Sequence, residues 1–331
     1  MPVPSLVSAR ASLLLTCALL VPGCTTEEIP IDEHGSTCPE EQCGVNASVV
    51  NDLLFGENHL TPGRNDGNPN SGGARIVDFI FVDERPDALL LIANGTLEVQ
   101  TDDGVYSGMD ILGSRLLVED TRDRSFIDVH FHDARMVDTW TDPRGQVEQY
   151  LLAYQHAERG EFVSVCSGAS DLDDPAAWAV LLTGERYSLE ERSVLGPGAG
   201  FFNIACNGSA LFKMKMMGYE PRMMPGSPTT PDQRQATLKM LTGDYCGTGR
   251  SFTENGTPVQ WRNADGTSFN SSQLSGAVEA YWDADGALCL DQPRLGDTDL
   301  QAVAAECASA GKTLPSCRDF AGPYEWVTHV P

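Results

Sequence analysis

The sequence predicts an α+β protein: an antiparallel β-rich N-terminal part, then a helical pair and a small β-rich, disulfide-stapled C-terminal part. Three observations carry this reading. Short β-branched and aromatic runs are divided by Asn-Gly and Asp-Gly pairs, the punctuation of antiparallel hairpins. Two stretches between residues 207 and 243 open on capping side chains and close on glycine, as helices do. Of ten cysteines, eight lie beyond residue 24, an even set of the kind that forms disulfides in an oxidising compartment.

Residues 1–23 read as a signal peptide. Arg10 is the only positive side chain before an apolar run from Ala11 to Val21, which Pro22-Gly23-Cys24 follows. Eleven residues are too few to span a bilayer and fit a leader core. A small residue directly before a cysteine resembles the lipobox of bacterial lipoproteins, so Cys24 is the expected lipidation site. The mature chain is then held at a membrane through an N-terminal lipid anchor, because each buried methylene contributes about 0.8 kcal/mol. Plain secretion after cleavage nearby is the alternative. Thr25, rather than Asp, follows Cys24 and leans the sorting toward the outer membrane.

Residues 24–73 are rich in Glu, Asn, Gly and Pro and are expected to be a lipid-anchored tether and loop. Cys38 and Cys43 could close a small loop there or reach forward. Residues 74–170 form the β-rich part. Ile76 to Val82, Ala88 to Ile92, Thr96 to Val99, Arg115 to Val118 and Ser125 to His132 read as strands. Gln149 to Gln155 and Glu161 to Cys166 read as a hairpin. Asp171 to Thr183 fits either a short helix starting at Asp174-Pro175 or a loop and a strand.

Residues 171–331 are the α+β part. Asn207-Gly208-Ser209 caps a helix from Ala210 to Met217 that Gly218 stops. Thr230-Pro231-Asp232-Gln233 starts a second, with proline in the first turn and an acid at the positive end of the dipole; Gly243 ends it. Strands follow at Gly256 to Trp261, Ala277 to Trp282 and Ala287 to Leu290, then a helix from Asp299 to Ala310.

Twenty-two Lys and Arg face forty-seven Asp and Glu, a formal charge of −25. Such a surface repels phosphate backbones, so no nucleic-acid partner is expected.

From about Cys206 onward the chain resembles the ADYC domain of bacterial predicted lipoproteins. The matching residues are Ala205-Cys206, Gly208, Lys213, Gly218-Tyr219, Pro221, Lys239-Met240 and Asp244-Tyr245-Cys246-Gly247. Gly249, Thr253, Gly256-Thr257, Glu279, Trp282, Asp285-Gly286-Ala287 and Cys289 continue it. The best match covers about 201–294, with a weaker one over about 43–200, and Gly243 departs from the first letter of the name motif. The resemblance implies an exported location and a fold-level grouping, not a reaction. It also implies a pairing. The family usually has cysteines where this chain has Met214 and Thr237, and losing both suggests that they bond to each other. In an antiparallel helix pair, facing positions have a nearly constant sum, so the same packing would join Cys206 to Cys246. Proximity suggests Cys307 with Cys317; Cys166 and Cys289, like Cys38 and Cys43, stay unassigned.

Several motifs invite chemistry. His130 and His132 share a strand face at the two-residue period of metal sites, against the plainer reading of exposed strand histidines. Asp283 to Gly286 and Asn263 to Gly266 carry fragments of a calcium loop, but neither reaches the twelfth-position Glu, so turns are expected. Cys246 as a nucleophile lacks a nearby histidine in sequence. Gly196 to Gly200 is glycine-rich and reads as a loop rather than a phosphate cradle. Met214, Met216 and Met217 are a soft-metal set or, more simply, core. No cofactor is expected. The leading expectation is a non-enzymatic binding or structural module of the cell envelope, with an envelope protein or polysaccharide as its partner. The alternatives are an exported metal-dependent hydrolase using His130 and His132, and a calcium-stabilised module.

Overall fold

The computed structural model describes residues 44–331 apart from 52, 54, 94, 142–144, 156–159, 222–228 and 272. The expected leader, Cys24, Cys38 and Cys43 lie outside the described residues. Its centre is an antiparallel sheet of eight strands, in the order β1-β11-β10-β8-β7-β6-β2 with β9 beside β8. These are β1 (Glu57–His59), β2 (Ala74–Ile80), β6 (Arg115–Asp120), β7 (Ser125–Asp138), β8 (Gln146–Gln155), β9 (Phe162–Ser164), β10 (Trp178–Ser188) and β11 (Ser193–Cys206). A second sheet joins β3 (Leu89–Ala93), β4 (Thr96–Thr101) and β5 (Gly104–Ser107). A third has the order β12-β15-β13-β14, from β12 (Gln260–Asn263), β13 (Ala277–Asp283), β14 (Gly286–Leu290) and β15 (Trp326–Val330).

The helices are α1 (Ala210–Met216), α2 (Pro231–Thr242) and α3 (Leu300–Ser309). Their ends follow the capping logic of the sequence. Ser209 accepts from the Phe212 N–H, and Thr230 and Gln233 form a reciprocal capping box with Pro231 as the first helical residue. Gly243 turns the chain out of α2 at φ 60°, a left-handed conformation that costs glycine least.

The large sheet divides two cores because its strands alternate. On β10, Ala179 and Leu181 face one core while Val180 and Leu182 face the other. The first core lies under β3–β5 and takes Phe131, Leu152, Phe202 and Ile204. The second takes α1, α2 and the third sheet, with Trp261, Trp282 and Trp326 fully buried. Each such ring removes roughly 150–250 Å² from water. At about 25 cal/mol per Å² each contributes roughly 4–6 kcal/mol. Met214, Met216 and Met217 are buried in this second core, as filler.

Several expectations change. The β8–β10 pairing, with Trp178 opposite Leu151, crosses residues 170/171, so strands from both sides of that position share one sheet. Part of 24–73 is built into the sheet as well. β1 pairs with β11, Gly67 N–H donates to the Ile76 carbonyl (2.9 Å), and Asn70 Nδ2 donates to the Glu57 carbonyl (2.9 Å). These bonds cover edges that would otherwise be open to pairing. Gly196 to Gly200 is not a loop but lies inside β11, with Pro197 opposite Glu185.

The disulfides also differ. Cys206 bonds Cys166, Cys246 bonds Cys307, and Cys289 bonds Cys317. The expected Cys206–Cys246 and Cys307–Cys317 pairs are corrected. The constant-sum rule holds only between helices, and Cys206 ends strand β11, four positions before α1 begins. It sits with Ile204 and Phe202 in the first core, whereas Cys246 belongs to the second. Cys307, buried on α3, faces Cys246, which leaves Cys317 to the neighbouring strand β14.

Candidate functional site

The turn after α2, Gly243 to Gly249, is where buried charge concentrates. Asp244 is completely buried, and Lys239, one helical turn back, donates to its Oδ2 at 2.7 Å. Backbone N–H groups of Thr248 (3.0 Å) and Gly249 (2.7 Å) donate to the same carboxylate. Lys239 Nζ also donates to the Glu191 carbonyl at 3.0 Å, which ties the turn to the β10–β11 connection. Every oxygen of Asp244 is therefore occupied, which is what allows a carboxylate to sit in an interior.

Tyr245 follows the same rule. Its ring stacks on Trp282 with centroids 5.2 Å apart, and its hydroxyl donates to Glu279. Arg294 closes the network: its Nε and Nη2 donate to Glu279 at 2.6 and 3.0 Å, and its Nη1 donates to the Met240 carbonyl at 3.0 Å. Both members of this ion pair are fully buried. Burial, then the Glu279 charge, holds the Tyr245 phenol well above its ordinary pKa, so it stays a donor. The next residue, Cys246, is in its disulfide, and Gly247 has φ 76°, where a Cβ would lie 2.2 Å from the Asp285 carbonyl oxygen. The turn is thereby pressed onto the Asp285-Gly286 bend between β13 and β14.

A groove of 860 Å³ runs over this turn. Cys246 and Gly247 form its floor, with Lys239 and Lys312 beside the carboxylates of Glu191, Asp232, Asp283 and Asp285. Burial pulls the Lys312 ammonium below its ordinary pKa and pushes the Asp283 carboxyl above its own. Such a lining can hydrogen-bond an extended polar chain.

The residues singled out from sequence fare unequally. His130 and His132 do share one face of β7, and both rings rest on Phe162, at 4.9 and 5.7 Å. The pairing register skips His132, so it is the extra residue of a β-bulge, and it is exposed. Among the described residues no three His, Cys, Asp or Glu side chains converge as a metal site. The hydrolase alternative is therefore not favoured. The calcium fragments are turns: Asp283 Oδ1 accepts from the Asp285 N–H at 2.9 Å, and Asp265 Oδ1 from the Thr267 N–H at 2.9 Å. A third buried pair, Arg234 with Glu185, had no sequence signal. Its members lie 49 residues apart, on a helix and a strand whose contact no local pattern announces.

The family model of the ADYC domain matches residues 108–296, more than half of the chain. The chain belongs to the ADYC domain family. No curated protein and no solved structure matches it. The match begins just before β6 and ends just after Arg294, so the ADYC domain takes in the stronger resemblance and the part of the weaker upstream one from residue 108 on. Within it, the residues of the name motif are the ones locked into the network above. The match stops before α3, so the Cys246–Cys307 bond ties the ADYC domain to the segment that follows it.

No helix among the described residues is long and apolar enough to cross a membrane.

Proposed function

We propose that this ADYC protein is a non-enzymatic binding module of the cell envelope, anchored by lipid on Cys24 in the outer membrane. The observation that carries the non-enzymatic reading is how the name motif is used. Asp244 is held by Lys239 and two backbone donors, Tyr245 by Glu279 and Trp282, and Cys246 by Cys307. Each group that could act as base, acid or nucleophile is consumed in holding the turn, which leaves the groove above it as a recognition surface. An envelope protein or polysaccharide is the partner class that its mixed carboxylate and ammonium lining suits.

Two measurements test this. Metabolic labelling with a fatty-acid analogue should mark the wild-type protein in the membrane fraction and not Cys24→Ala; an unlabelled, soluble wild type overturns the anchor. Photo-crosslinkers replacing Asp232 and Leu288 on the groove should capture the same envelope component from intact cells. A crosslinker at Arg124, on the distant β6–β7 turn, should not. Equal capture from all three positions removes the groove from the proposal.

A further inference from the structure

Lys213 is the odd charge in the second core. It sits in α1 at 2% exposure, and among the described residues it makes no ion pair. Its neighbour Lys215 is paired with Glu220, and Lys239, Arg234 and Arg294 each have a buried carboxylate. Among the described residues Lys213 has one partner, the Val45 carbonyl, to which Nζ donates one of its three N–H bonds.

The side chain also lines a cavity of 330 Å³. Val45, Pro175 and Ala176 give this space an apolar wall, and Asn207 and Asn255 stand on turns that border it. Asn255 accepts through Oδ1 from the Ser48 N–H (2.6 Å) and Oγ (2.9 Å), which leaves its Nδ2 as a rim donor. The charges near the cavity do not neutralise Lys213. Asp174, on the rim, is already bonded to Ala176 N–H (2.8 Å) and to the Ser170 N–H and Oγ (both 2.9 Å). Arg294 lies behind, its charge matched by Glu279. Burial, and secondarily the Arg294 charge, lower the Lys213 pKa to about 7.

An ammonium taken from water without a counter-charge is costly, and two events relieve it: loss of the proton, or arrival of an anion. We propose that this cavity is a binding site for a small carboxylate, whose oxygens take the two open Lys213 N–H bonds and whose apolar end lies against Pro175 and Ala176. One buried monocation matches one carboxylate. A phosphate dianion would carry an uncompensated second charge beside Asp174. The site is separate from the groove over the ADYC turn and does not depend on the lipid anchor.

Butyrate is the probe. In full-length protein with carbon-13-labelled lysine, the Lys213 ε-carbon signal is assigned by its loss in Lys213→Met. Saturating butyrate should raise its titration midpoint by about one unit or more, because an anion favours the charged form. Butyrate affinity should fall about tenfold per pH unit between the free and the butyrate-bound midpoints. Lys213→Met should abolish binding, and Asn255→Leu, which leaves the lysine in place, should weaken it severalfold. An unmoved midpoint over a full butyrate titration, or pH-independent binding, overturns the site. Inorganic phosphate shifting the midpoint as far as butyrate overturns the carboxylate assignment.

Discussion

Two regions hold the residues that look most reactive in this chain, and they are built in opposite ways. Around Asp244 and Glu279 the charged groups are buried and each is saturated, Asp244 by Lys239 and its own turn, Glu279 by Arg294 and Tyr245 from other elements. Along β7, an interior strand of the large sheet, His130 and His132 stand on one face with one aromatic neighbour, Phe162, against both rings. The pattern drawing attention in the sequence is the second, because two histidines at strand period are visible locally. The region that organises the molecule is the first, because its partners are 34 and 49 residues away in sequence. Residue type alone did not separate them; burial and partner number do.

The comparison breaks most visibly at Glu279. Glu279→Ala strands a fully buried guanidinium and removes the acceptor of the Tyr245 hydroxyl. Losing one partner of a buried pair costs about 3–5 kcal/mol, so the urea midpoint should fall steeply. Replacing both members, Glu279→Leu with Arg294→Met, should restore much of the loss, since the pair is weakly favourable against an apolar core. If Glu279→Ala shifts the midpoint no more than a surface change does, the network is not what holds the turn.

The disulfides give the next effect. Cys246→Ala with Cys307→Ala opens a bond that spans 61 residues and pins the ADYC turn to α3. A loss of about 2–4 kcal/mol is expected, read as a lower midpoint, with a steeper slope because the opened denatured chain exposes more surface. Non-reducing peptide mapping should recover Cys166–Cys206, Cys246–Cys307 and Cys289–Cys317.

These bonds also mark how far the sequence could be read. The helix from Pro231 to Thr242 was legible at both ends, because the capping box and the terminal glycine are local signals. So was the hairpin at Asp285-Gly286. Strand β11 was hidden by its glycines and Pro197, and β15 by lying alone beyond the last obvious turn. Disulfide partners depend on which sheet face each cysteine takes, and a one-residue change of register reverses that face. Of the candidate site, the name motif was visible and its saturation was not. Lys213 looked like one more helix lysine until the segment beginning at Val45 was seen to cover it.

Lys213 turns the buried side of the comparison into a pH dependence. Its folded pKa, about 7, lies below its ordinary value of 10.5. Between those values the unfolded chain binds the extra proton, so stability rises with pH across the window; below about 7 the gain is absent. From about pH 7 to about pH 9 the increase should be ~2 kcal/mol in ligand-free protein, and Lys213→Met should flatten it. Above about pH 10 the slope reverses, because Tyr187 and Tyr245, raised mainly by burial, lose their protons only on unfolding. A flat profile in the wild type over the lower window would mean that water reaches Lys213 freely.

The exposed side of the comparison predicts almost nothing, and that makes it a sharp control. His132 is a bulge residue facing solvent, and His130 rests against Phe162, itself more than a third exposed. Exposed substitutions away from caps and buried pairs typically change stability by about 0.5 kcal/mol or less. His130→Ala with His132→Ala should therefore leave the urea midpoint within that range, and the pH profile between about 7 and 9 should keep its Lys213 slope. A larger loss would show that β7 carries a load the geometry does not display. The histidines would then belong with Glu279 and Arg294, and exposure would no longer be the property that distinguishes the two regions.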